Sequence, residues 1–389
     1  MRRLRPPAKI TPVTSLWSVI CWLCEICITL VQKKHTLGRG DSDCRLTTEF
    51  YTKIAGSTTA YLNLLMLAKI LSKQYFAFWS GFGLDRTMAG RRKLTDRNKN
   101  LLNWLIAMIN QIDVDSPAKI NLCLHVLGRY ENGYHALAMA MQRVDLCDHI
   151  GIRIVGSKGV TVHCNGLVLA PGEDNIAARA ACLLLAETQA AVGVEIQIDK
   201  RIPVAAGLGG GSSNAATVLL ALNDMLGLNV SNQRLQQLGA QLGADVPFFV
   251  FQRPAWATGT GTTLSPLPPL PEVAYLLVNP GITVPTAEVY QSLQLTKGGE
   301  LANLPRFSVV TKEDLCTALH NDLERVTLRR HPVLQQIKQR LLQLGARGAL
   351  MSGSGATLFG VFDDLDQAQS AADILTAETD WWTCPVSPL

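Results

Sequence analysis

Alternation of apolar and polar residues is the clearest pattern in the middle of the chain. From residue 119 to residue 126 the two kinds of side chain alternate strictly, so that Lys119 and Asn121 fall on one face and Ile120 and Leu122 on the other. This period of two predicts a half-buried β-strand, which Gly128 ends. An Asn-Gly pair follows in a predicted turn, and residues 193–199 alternate in the same way.

Longer stretches carry the spacing of helices. Residues 174–191 predict a helix with Asp174 or Asn175 as its N-cap. Glycines follow two further predicted helices, at about residues 212–226 and 232–242. The second half of the chain predicts a strand, helices, a strand–glycine turn–strand unit and a closing helix.

The order of these elements indicates the fold class. Strands and helices mix without a regular βαβα rhythm, which favours an α+β fold in two domains. A proline-rich stretch places the boundary between them near Pro271. We therefore expect domains at residues 108–271 and 272–389, preceded by a leader at residues 1–107.

Charge separates the leader from the rest of the chain. The 389 residues are 48% hydrophobic and 17% charged, enough to bury a core. Residues 1–107 hold 17 Lys and Arg against six Asp and Glu, whereas the remainder holds 19 against 25. The mildly acidic body gives no reason to expect nucleic-acid binding. The preferred interpretation is a leader without a role in the fold, with Met108 as the true start; a targeting segment or a membrane anchor at residues 16–31 are the alternatives.

The ten cysteines show no paired spacing in the body of the chain, which indicates free thiols in a reducing compartment. Cys21, Cys24 and Cys27 have the spacing of iron–sulfur ligands, but they lie in an apolar run without a close fourth ligand. No residue is therefore assigned to a metal site.

A glycine-rich loop at residues 203–213 follows a predicted strand and opens a predicted helix. Free N–H groups at a helix start and the helix dipole favour an anion, so the loop predicts a phosphate site. Ser212 and Ser213 are expected to cap the helix and to reach a phosphate or its Mg²⁺ ion. A valine at Gly209 is expected to enter the path of the phosphates. The competing interpretation is a flexible turn before a capped helix.

Two common phosphate motifs do not describe this loop. The chain has no GxxxxGK[ST] sequence, which a Walker-type loop requires. The glycines suit a dinucleotide-binding pattern superficially, but no opening βαβ unit with a following acidic residue is evident.

Three motifs together resemble those of the GHMP kinases, the family of galacto-, homoserine, mevalonate and phosphomevalonate kinases. They are PAKINLCLHVLGRYENGYH at residues 117–135, PVAAGLGGGSSNAA at residues 203–216 and MSGSGATLFG at residues 351–360. Their order agrees with the family over about residues 113–362, which excludes the leader. The resemblance implies a two-domain fold with the active site in the interdomain cleft.

The resemblance also implies an activity. The GYH turn and the LGADVPFF segment are similar to a branch of the family that acts on cytidine-diphosphate-linked methylerythritol. The implied reaction transfers the γ-phosphoryl group of ATP, with Mg²⁺, to the 2-hydroxyl of that small molecule, in the non-mevalonate route to isoprenoid precursors. It implies a cytoplasmic bacterial enzyme, or a plastid one if the leader is a transit peptide. Another small-molecule kinase of the family and an inactive binding protein remain as alternatives.

The resemblance carries roles to individual residues. It implies that Asp245 accepts the proton of the acceptor hydroxyl, that Lys119 stabilises developing charge beside it and that Asn121 binds the acceptor. Tyr134 and His135 are the implied readers of the cytidine, and Tyr290 supplies the opposite stacking face. The third motif, at residues 352–355, is expected to close over the triphosphate or the acceptor. The residues implied to bind ATP are Pro203, Val204, Ala205, Ala206, Gly207, Leu208, Gly209, Gly210, Gly211, Ser212 and Ser213.

Overall fold

A long antiparallel hairpin forms the centre of the fold. In a computed structural model, which describes residues 110–131, 133–166, 175–293 and 307–389, the two strands of the hairpin are β1 (Gln111–Arg129) and β2 (His135–Val155). They pair along their length, and bulges shift the register at three places, the first between Pro117 and Ala118. The predicted strand over residues 119–126 is therefore confirmed as the middle of β1.

The remaining strands of the described ranges extend two sheets. In chain order they are β3 (Gly159–Asn165), β4 (Gly193–Asp199), β5 (Ala255–Gly259), β6 (Thr263–Pro266), β7 (Ala274–Asn279), β8 (His320–Asn321), β9 (Gly348–Met351), β10 (Leu358–Phe362) and β11 (Trp382–Val386). One sheet has the order β3–β4–β2–β1–β8, with β5 also on β2 and β6 on β5. The other has the order β11–β7–β10–β9.

Helices cover these sheets. The described helices are α1 (Ile176–Thr188), α2 (Gly210–Met225), α3 (Asn232–Leu242), α4 (Val246–Phe251), α5 (Thr286–Gln291), α6 (Lys312–Ala318), α7 (Glu324–Arg330), α8 (Pro332–Gln343) and α9 (Leu365–Glu378). Apolar side chains of α1, α2 and α3 pack in one core with those of β2 and β4. The mixture of helices and two sheets confirms the α+β class.

Burial on both faces of β1 differs from the sequence-based prediction. Ile120 and Leu122 pack in a core with Leu277 of β7 and are fully buried. Lys119 and Asn121 on the other face are also buried, with exposed fractions of 4% and 1%. The prediction of a half-buried strand is therefore wrong, because loops distant in sequence cover the polar face.

The ends of the helices test the predicted caps. Asn175 caps α1 by accepting a hydrogen bond from the Ala177 N–H at 2.9 Å, whereas Asp174 lies outside the described residues. Helix α3 begins and ends where predicted. Helix α2 begins at Gly210 instead of Ser212, with Gly209 as an N-cap that offers no side chain, so the prediction of serine caps is wrong.

The remaining sequence-based expectations have different outcomes. The six cysteines of the described ranges are all free, as predicted. Within those ranges, no helix has the length and apolar character needed to cross a bilayer. The leader at residues 1–107, with Cys21, Cys24 and Cys27, lies outside the described residues, and the boundary near Pro271 stays a prediction.

Candidate active site

Lys119 and Asp245 meet although they are far apart in sequence. Lys119 lies in the middle of β1, and Asp245 is the residue before α4. The Asp245 carboxylate makes no capping hydrogen bond to α4, and its Oδ2 lies 3.6 Å from the Lys119 Nζ. The lysine side chain is 5% exposed and the aspartate side chain 31%, so the carboxylate of the ion pair is the partner that solvent reaches.

Asn121 fixes the position of the lysine from the same strand face. The Lys119 Nζ donates a hydrogen bond to the Asn121 Oδ1 at 2.5 Å. The backbone N–H of Asn121 donates in turn to the Ser352 Oγ at 3.3 Å. Because the ammonium has a neutral partner and a charged one, its position is set on two sides. The three residues assigned to the acceptor hydroxyl are thus brought together.

The glycine-rich loop is tied to this pair through its carbonyl groups. The Lys119 N–H donates to the Leu208 carbonyl oxygen at 2.9 Å, and the Thr357 N–H donates to the Ala206 carbonyl oxygen at 3.3 Å. The Ser352 hydroxyl donates to the Gly207 carbonyl oxygen at 3.0 Å. The first N–H groups of an α-helix have no partner within the helix, so the start of α2 retains donors suited to an anion.

Two glycines are required for this packing. A Cβ built at Gly207 would lie 2.1 Å from the Ser352 carbonyl oxygen, and φ at Gly207 is +79°. A Cβ at Gly209, where φ is +70°, would lie 3.0 Å from the Phe249 ring and 3.1 Å from the Lys119 Cγ. A side chain at Gly209 would therefore press on Lys119 and on α4. The expectation that Gly209→Val enters the path of the phosphates stays a prediction, and the structure adds these two contacts to it.

The two serines of the loop occupy different environments. Ser213 is fully buried, and its Oγ accepts a hydrogen bond from the Ser116 Oγ at 2.8 Å. Its side chain therefore faces the core, which contradicts the expectation that the Ser213 hydroxyl reaches a phosphate. Ser212 is partly exposed in the first turn of α2. Of the two hydroxyls, only that of Ser212 is available to a ligand.

The outer part of the loop differs from its centre. Val204 and Ala205 are exposed, and Pro203 is partly exposed. Ala206 and Leu208 are buried, so their side chains hold the loop in place, and only their backbone could face a nucleotide. Gly210 and Gly211 form the first turn of α2.

A buried polar network beneath the loop was missed at the level of sequence. The Asp148 carboxylate, fully buried, pairs with the Lys200 ammonium. Its Oδ1 accepts hydrogen bonds from the N–H groups of Arg201 at 2.8 Å and Ile202 at 2.9 Å. The Asn214 Nδ2 donates to the Asp148 Oδ2 at 2.8 Å. The Asp148 carboxylate therefore joins residues 201 and 202, which precede the loop, to α2, which follows it.

Two of the three aromatic residues that were expected to bind the cytidine lie in contact. The ring centroids of His135 and Tyr290 are 4.8 Å apart, at an angle of 31°. Tyr290 comes from α5, and His135 is the first residue of β2. Tyr134 is 64% exposed. The structure therefore brings Tyr290 together with His135, and it leaves Tyr134 more open to solvent.

Burial shifts the pKa values of both rings. Burial and, to a smaller extent, the charge of Arg129 lower the pKa of His135 below its ordinary value of 6.5. Burial raises the pKa of Tyr290, and the negative charge of Asp245 raises it further. Both rings are therefore neutral at pH 7. The influence of Asp245 on Tyr290 also indicates that the aromatic pair and the ion pair lie at neighbouring positions.

The third glycine-rich motif joins the parts of the site. In addition to the bonds of Ser352, the Ser354 and Thr286 hydroxyls lie 2.8 Å apart and connect the motif to α5. The Asn321 Nδ2 donates to the carbonyl oxygens of Met351 at 2.7 Å and Gly353 at 2.8 Å. The motif was expected to close over a ligand, whereas its observed contacts hold β1, the glycine-rich loop and α5 together.

Sequence models of two protein-family domains match the chain. The GHMP kinases N terminal domain matches residues 175–253, which include the glycine-rich loop and Asp245. The GHMP kinases C terminal domain matches residues 301–379, which include the third motif.

Curated bacterial proteins match at high identity. A 4-diphosphocytidyl-2-C-methyl-D-erythritol kinase of Syntrophotalea carbinolica is 56% identical over 274 residues, which are 70% of this chain and 98% of the relative. The protein of the same name from Geobacter metallireducens is 49% identical over 281 residues, which are 72% of this chain and all of the relative.

Solved structures agree with these relatives. The crystal structure of a 4-(cytidine 5'-diphospho)-2C-methyl-D-erythritol kinase is 38% identical, with a TM-score of 0.61, and the match covers 71% of this chain and 99% of that one. A homoserine kinase from Cytophaga hutchinsonii, 17% identical with a TM-score of 0.54 over 72% of this chain and 94% of that one, shares the fold alone.

Proposed function

We infer that this chain, which belongs to the GHMP kinase family, transfers the γ-phosphoryl group of ATP to the 2-hydroxyl of 4-diphosphocytidyl-2-C-methyl-D-erythritol. This reaction is a step of the methylerythritol phosphate route to isoprenoid precursors. Relatives of that name align over almost their whole length at 56% and 49% identity. Homoserine and mevalonate kinases resemble the chain at 17% identity or less, so the alternative substrates of the family are not favoured.

The observation that carries the proposal is the ion pair beneath the glycine-rich loop. The Asp245 carboxylate is partly exposed, and Lys119 lies 3.6 Å away. Phosphoryl transfer needs little covalent help from the protein and depends on positioning and on the stabilisation of charge. A carboxylate and an ammonium side by side, next to a loop suited to phosphates, supply both.

In the proposed mechanism Asp245 accepts a hydrogen bond from the 2-hydroxyl and orients it toward the γ-phosphorus. As the new oxygen–phosphorus bond forms and the bond to ADP breaks, the hydroxyl proton passes to the Asp245 carboxylate. Lys119 places a positive charge near the oxygens of the transferred group. Asn121 holds the ammonium in that position through its 2.5 Å hydrogen bond.

The loop from Pro203 to Ser213 is proposed to bind the triphosphate through its backbone. Its carbonyl groups are engaged by Lys119, Ser352 and Thr357, which fixes the path of the chain. The N–H groups at the start of α2 and the dipole of this 16-residue helix then favour the phosphate charges.

Mg²⁺ is the proposed companion of ATP. The ion prefers oxygen ligands and retains several waters, so one protein hydroxyl and phosphate oxygens suffice. Ser212 fits this requirement by its partial exposure and its place in the first turn of α2. Asp245 fits less well because its carboxylate faces an ammonium. Bound Mg²⁺ supplies charge neutralisation on the phosphate oxygens.

The cytidine is proposed to bind at the His135–Tyr290 pair. A neutral imidazole offers one donor and one acceptor to the edge of a base, and the Tyr290 ring offers a stacking face. Tyr134 supplies a second aromatic surface from the same turn. Through Tyr290, this end of the site belongs to the C-terminal half of the chain.

We assign the ATP loop and Asp245 to a domain at residues 108–271 and Tyr290 with the third motif to a domain at residues 272–389. The high identity to bacterial proteins and the free thiols support a bacterial, cytoplasmic enzyme.

Release of ADP by the full chain tests the function. We expect ATP consumption with the cytidyl-linked methylerythritol and little with homoserine, mevalonate or galactose. Asp245→Asn is the matched inactive control, since it keeps the shape of the side chain. Equal or greater activity with one of the other three substrates would replace this proposal with that kinase activity.

A further inference from the structure

Two histidines and an aspartate form a cluster that the proposed reaction does not use. His125 lies on β1, His320 begins β8 and Asp322 follows β8. One ring nitrogen of each histidine and one carboxylate oxygen of Asp322 all lie within 4.8 Å of one another. His125 is six positions along β1 from Lys119, about 20 Å at the rise of a strand, so the cluster is separate from the ion pair.

The backbone around the cluster is firmly held. β8 pairs in parallel with β1, with His320 opposite Cys123. The Asp322 N–H donates to the Leu124 carbonyl oxygen at 3.0 Å, and the Val126 N–H donates to the Asp322 Oδ2 at 2.7 Å. These bonds orient the carboxylate before any ligand arrives.

The three side chains already interact with one another. The His320 Nε2 lies 2.8 Å from the Asp322 Oδ1. The rings of His125 and His320 are stacked, with centroids 4.4 Å apart and an angle of 19° between their planes. The His320 side chain is 48% exposed and that of Asp322 is 36% exposed, so an ion could approach from solvent.

Two imidazoles and one carboxylate are typical ligands of zinc and of other first-row divalent ions. We propose that His125, His320 and Asp322 bind Zn²⁺ or a similar ion, with water in the remaining position. Because the two rings are nearly parallel, their nitrogens converge on one ion only after one ring turns about χ2. This torsion is broad in histidine, and the exposed His320 has room to turn.

An ion in this position would strengthen a connection to the active site. It would cross-link β1 to the segment after α6. Asn321, between two of the ligands, holds the carbonyl oxygens of Met351 and Gly353 in the third motif. Zinc binding to the folded chain is therefore expected to raise its melting temperature by mass action.

Another histidine of the chain provides a matched control. The His149 side chain, 41% exposed, lies beside Asp113 and Asp115, at 3.9 Å and 3.2 Å from its two ring nitrogens. Its exposure and its acidic surroundings match those of the cluster. Because it offers one imidazole instead of two, it is a weaker set of ligands for a metal ion.

The test titrates Co²⁺, as a probe for Zn²⁺, into the metal-free full chain and follows visible absorption, with Zn²⁺ calorimetry in parallel. Thiolate ligands produce intense charge-transfer bands, which separates binding by cysteines from binding by histidines. We expect one site with nitrogen and oxygen ligands, at least about tenfold weaker in His125→Asn and in His320→Asn and unchanged in His149→Asn. The two variants are independent, and the melting temperature of each without metal reports whether it folds.

Unchanged Co²⁺ affinity in both folded variants would overturn the proposal, as would a spectrum due to thiolates alone. An equal loss of Co²⁺ affinity in His149→Asn would also overturn the proposal, because metal binding would then depend on general surface charge and not on the cluster. A zinc-dependent rise in melting temperature that both cluster variants abolish would support it.

Discussion

The Ser352 hydroxyl donates a hydrogen bond to the Gly207 carbonyl oxygen at 3.0 Å and thereby joins the third motif to the glycine-rich loop at residues 203–213. The approach is close enough that a Cβ at Gly207 would lie 2.1 Å from the Ser352 carbonyl oxygen. The glycine-rich loop at residues 203–213 is thus positioned by a segment 145 residues later in the chain. Small changes at this contact are expected to alter ATP binding.

Gly207→Ala is expected to lower the free energy of unfolding by about 2–4 kcal/mol, because it combines a left-handed backbone with a steric clash. In the fraction of the Gly207→Ala variant that folds, the KM for ATP is expected to rise. Urea unfolding and steady-state kinetics measure the two effects.

Gly156→Ala, in the exposed turn between β2 and β3 and outside the glycine-rich loop, is the control for this prediction. A Cβ there would meet no atom of the described residues within 4 Å, and the backbone is not left-handed. Its stability and KM for ATP are expected to stay near those of the natural chain. Equal changes in stability and in the KM for ATP in the two alanine variants would show that the contact between Gly207 and Ser352 does not determine either quantity.

Asp245→Asn is expected to lower turnover about 10²–10⁴-fold, the usual contribution of general base catalysis, with little change in the KM for the cytidyl substrate. Lys119→Met keeps the apolar stem and removes the charge, so turnover is again expected to collapse. Because the two groups lie 3.6 Å apart, the double variant is expected to lose less than the product of the single losses.

The exposed Asp224, near the end of α2, gives the control variant Asp224→Asn, which is expected to retain full turnover. Near-normal turnover in Asp245→Asn would remove the aspartate from the mechanism. If the loss of turnover in the double variant equals the product of the two single losses, Lys119 and Asp245 act independently.

In the polar network under the loop, removal of Asp148 is expected to lower the free energy of unfolding more than removal of Lys200. Asp148→Ala leaves the buried Lys200 ammonium without its carboxylate, which is expected to cost about 3–5 kcal/mol of the free energy of unfolding. Lys200→Met leaves the Asp148 carboxylate with donors from Arg201, Ile202 and Asn214, so a smaller loss is expected. Chemical unfolding of the two variants measures both losses. A larger loss for Lys200→Met than for Asp148→Ala would contradict this account of the network.

The His135–Tyr290 contact predicts a pH dependence. Burial lowers the pKa of His135 in the folded chain, so the unfolded chain binds this proton more readily. The contribution of His135 to stability is therefore complete above pH 6.5 and is lost as the pH falls through the lowered pKa. Tyr290→Ala exposes the imidazole, and the pKa of His135 is expected to rise toward 6.5 in an NMR titration. An unchanged or lower pKa in this variant would mean that the tyrosine does not shield the ring.

Local patterns were sufficient to predict much of the fold. Alternation located the middle of β1, and capping and glycine signals located α1 and α3. Burial of both faces of β1 could not be predicted, because Ser352 and Gly209, which cover Lys119 and Asn121, are distant in sequence.

The candidate site was predictable in part. The motif resemblance pointed to Lys119 and Asp245, which the fold brings together. The fully buried Ser213 and the Asp148–Lys200 pair were not predictable, because a charged residue after an alternating strand usually faces solvent. Only the tertiary structure places this lysine under the start of α2.

The position of the new phosphate tests the central claim most directly. ³¹P NMR of the product that the full chain forms from ATP and 4-diphosphocytidyl-2-C-methyl-D-erythritol identifies the acceptor hydroxyl. Carbon 2 carries a methyl group and no hydrogen, so its phosphate is expected to give a phosphomonoester signal without splitting by a proton on that carbon. A signal split by such protons would place the phosphate on another hydroxyl, and the absence of any phosphomonoester would contradict the proposed function.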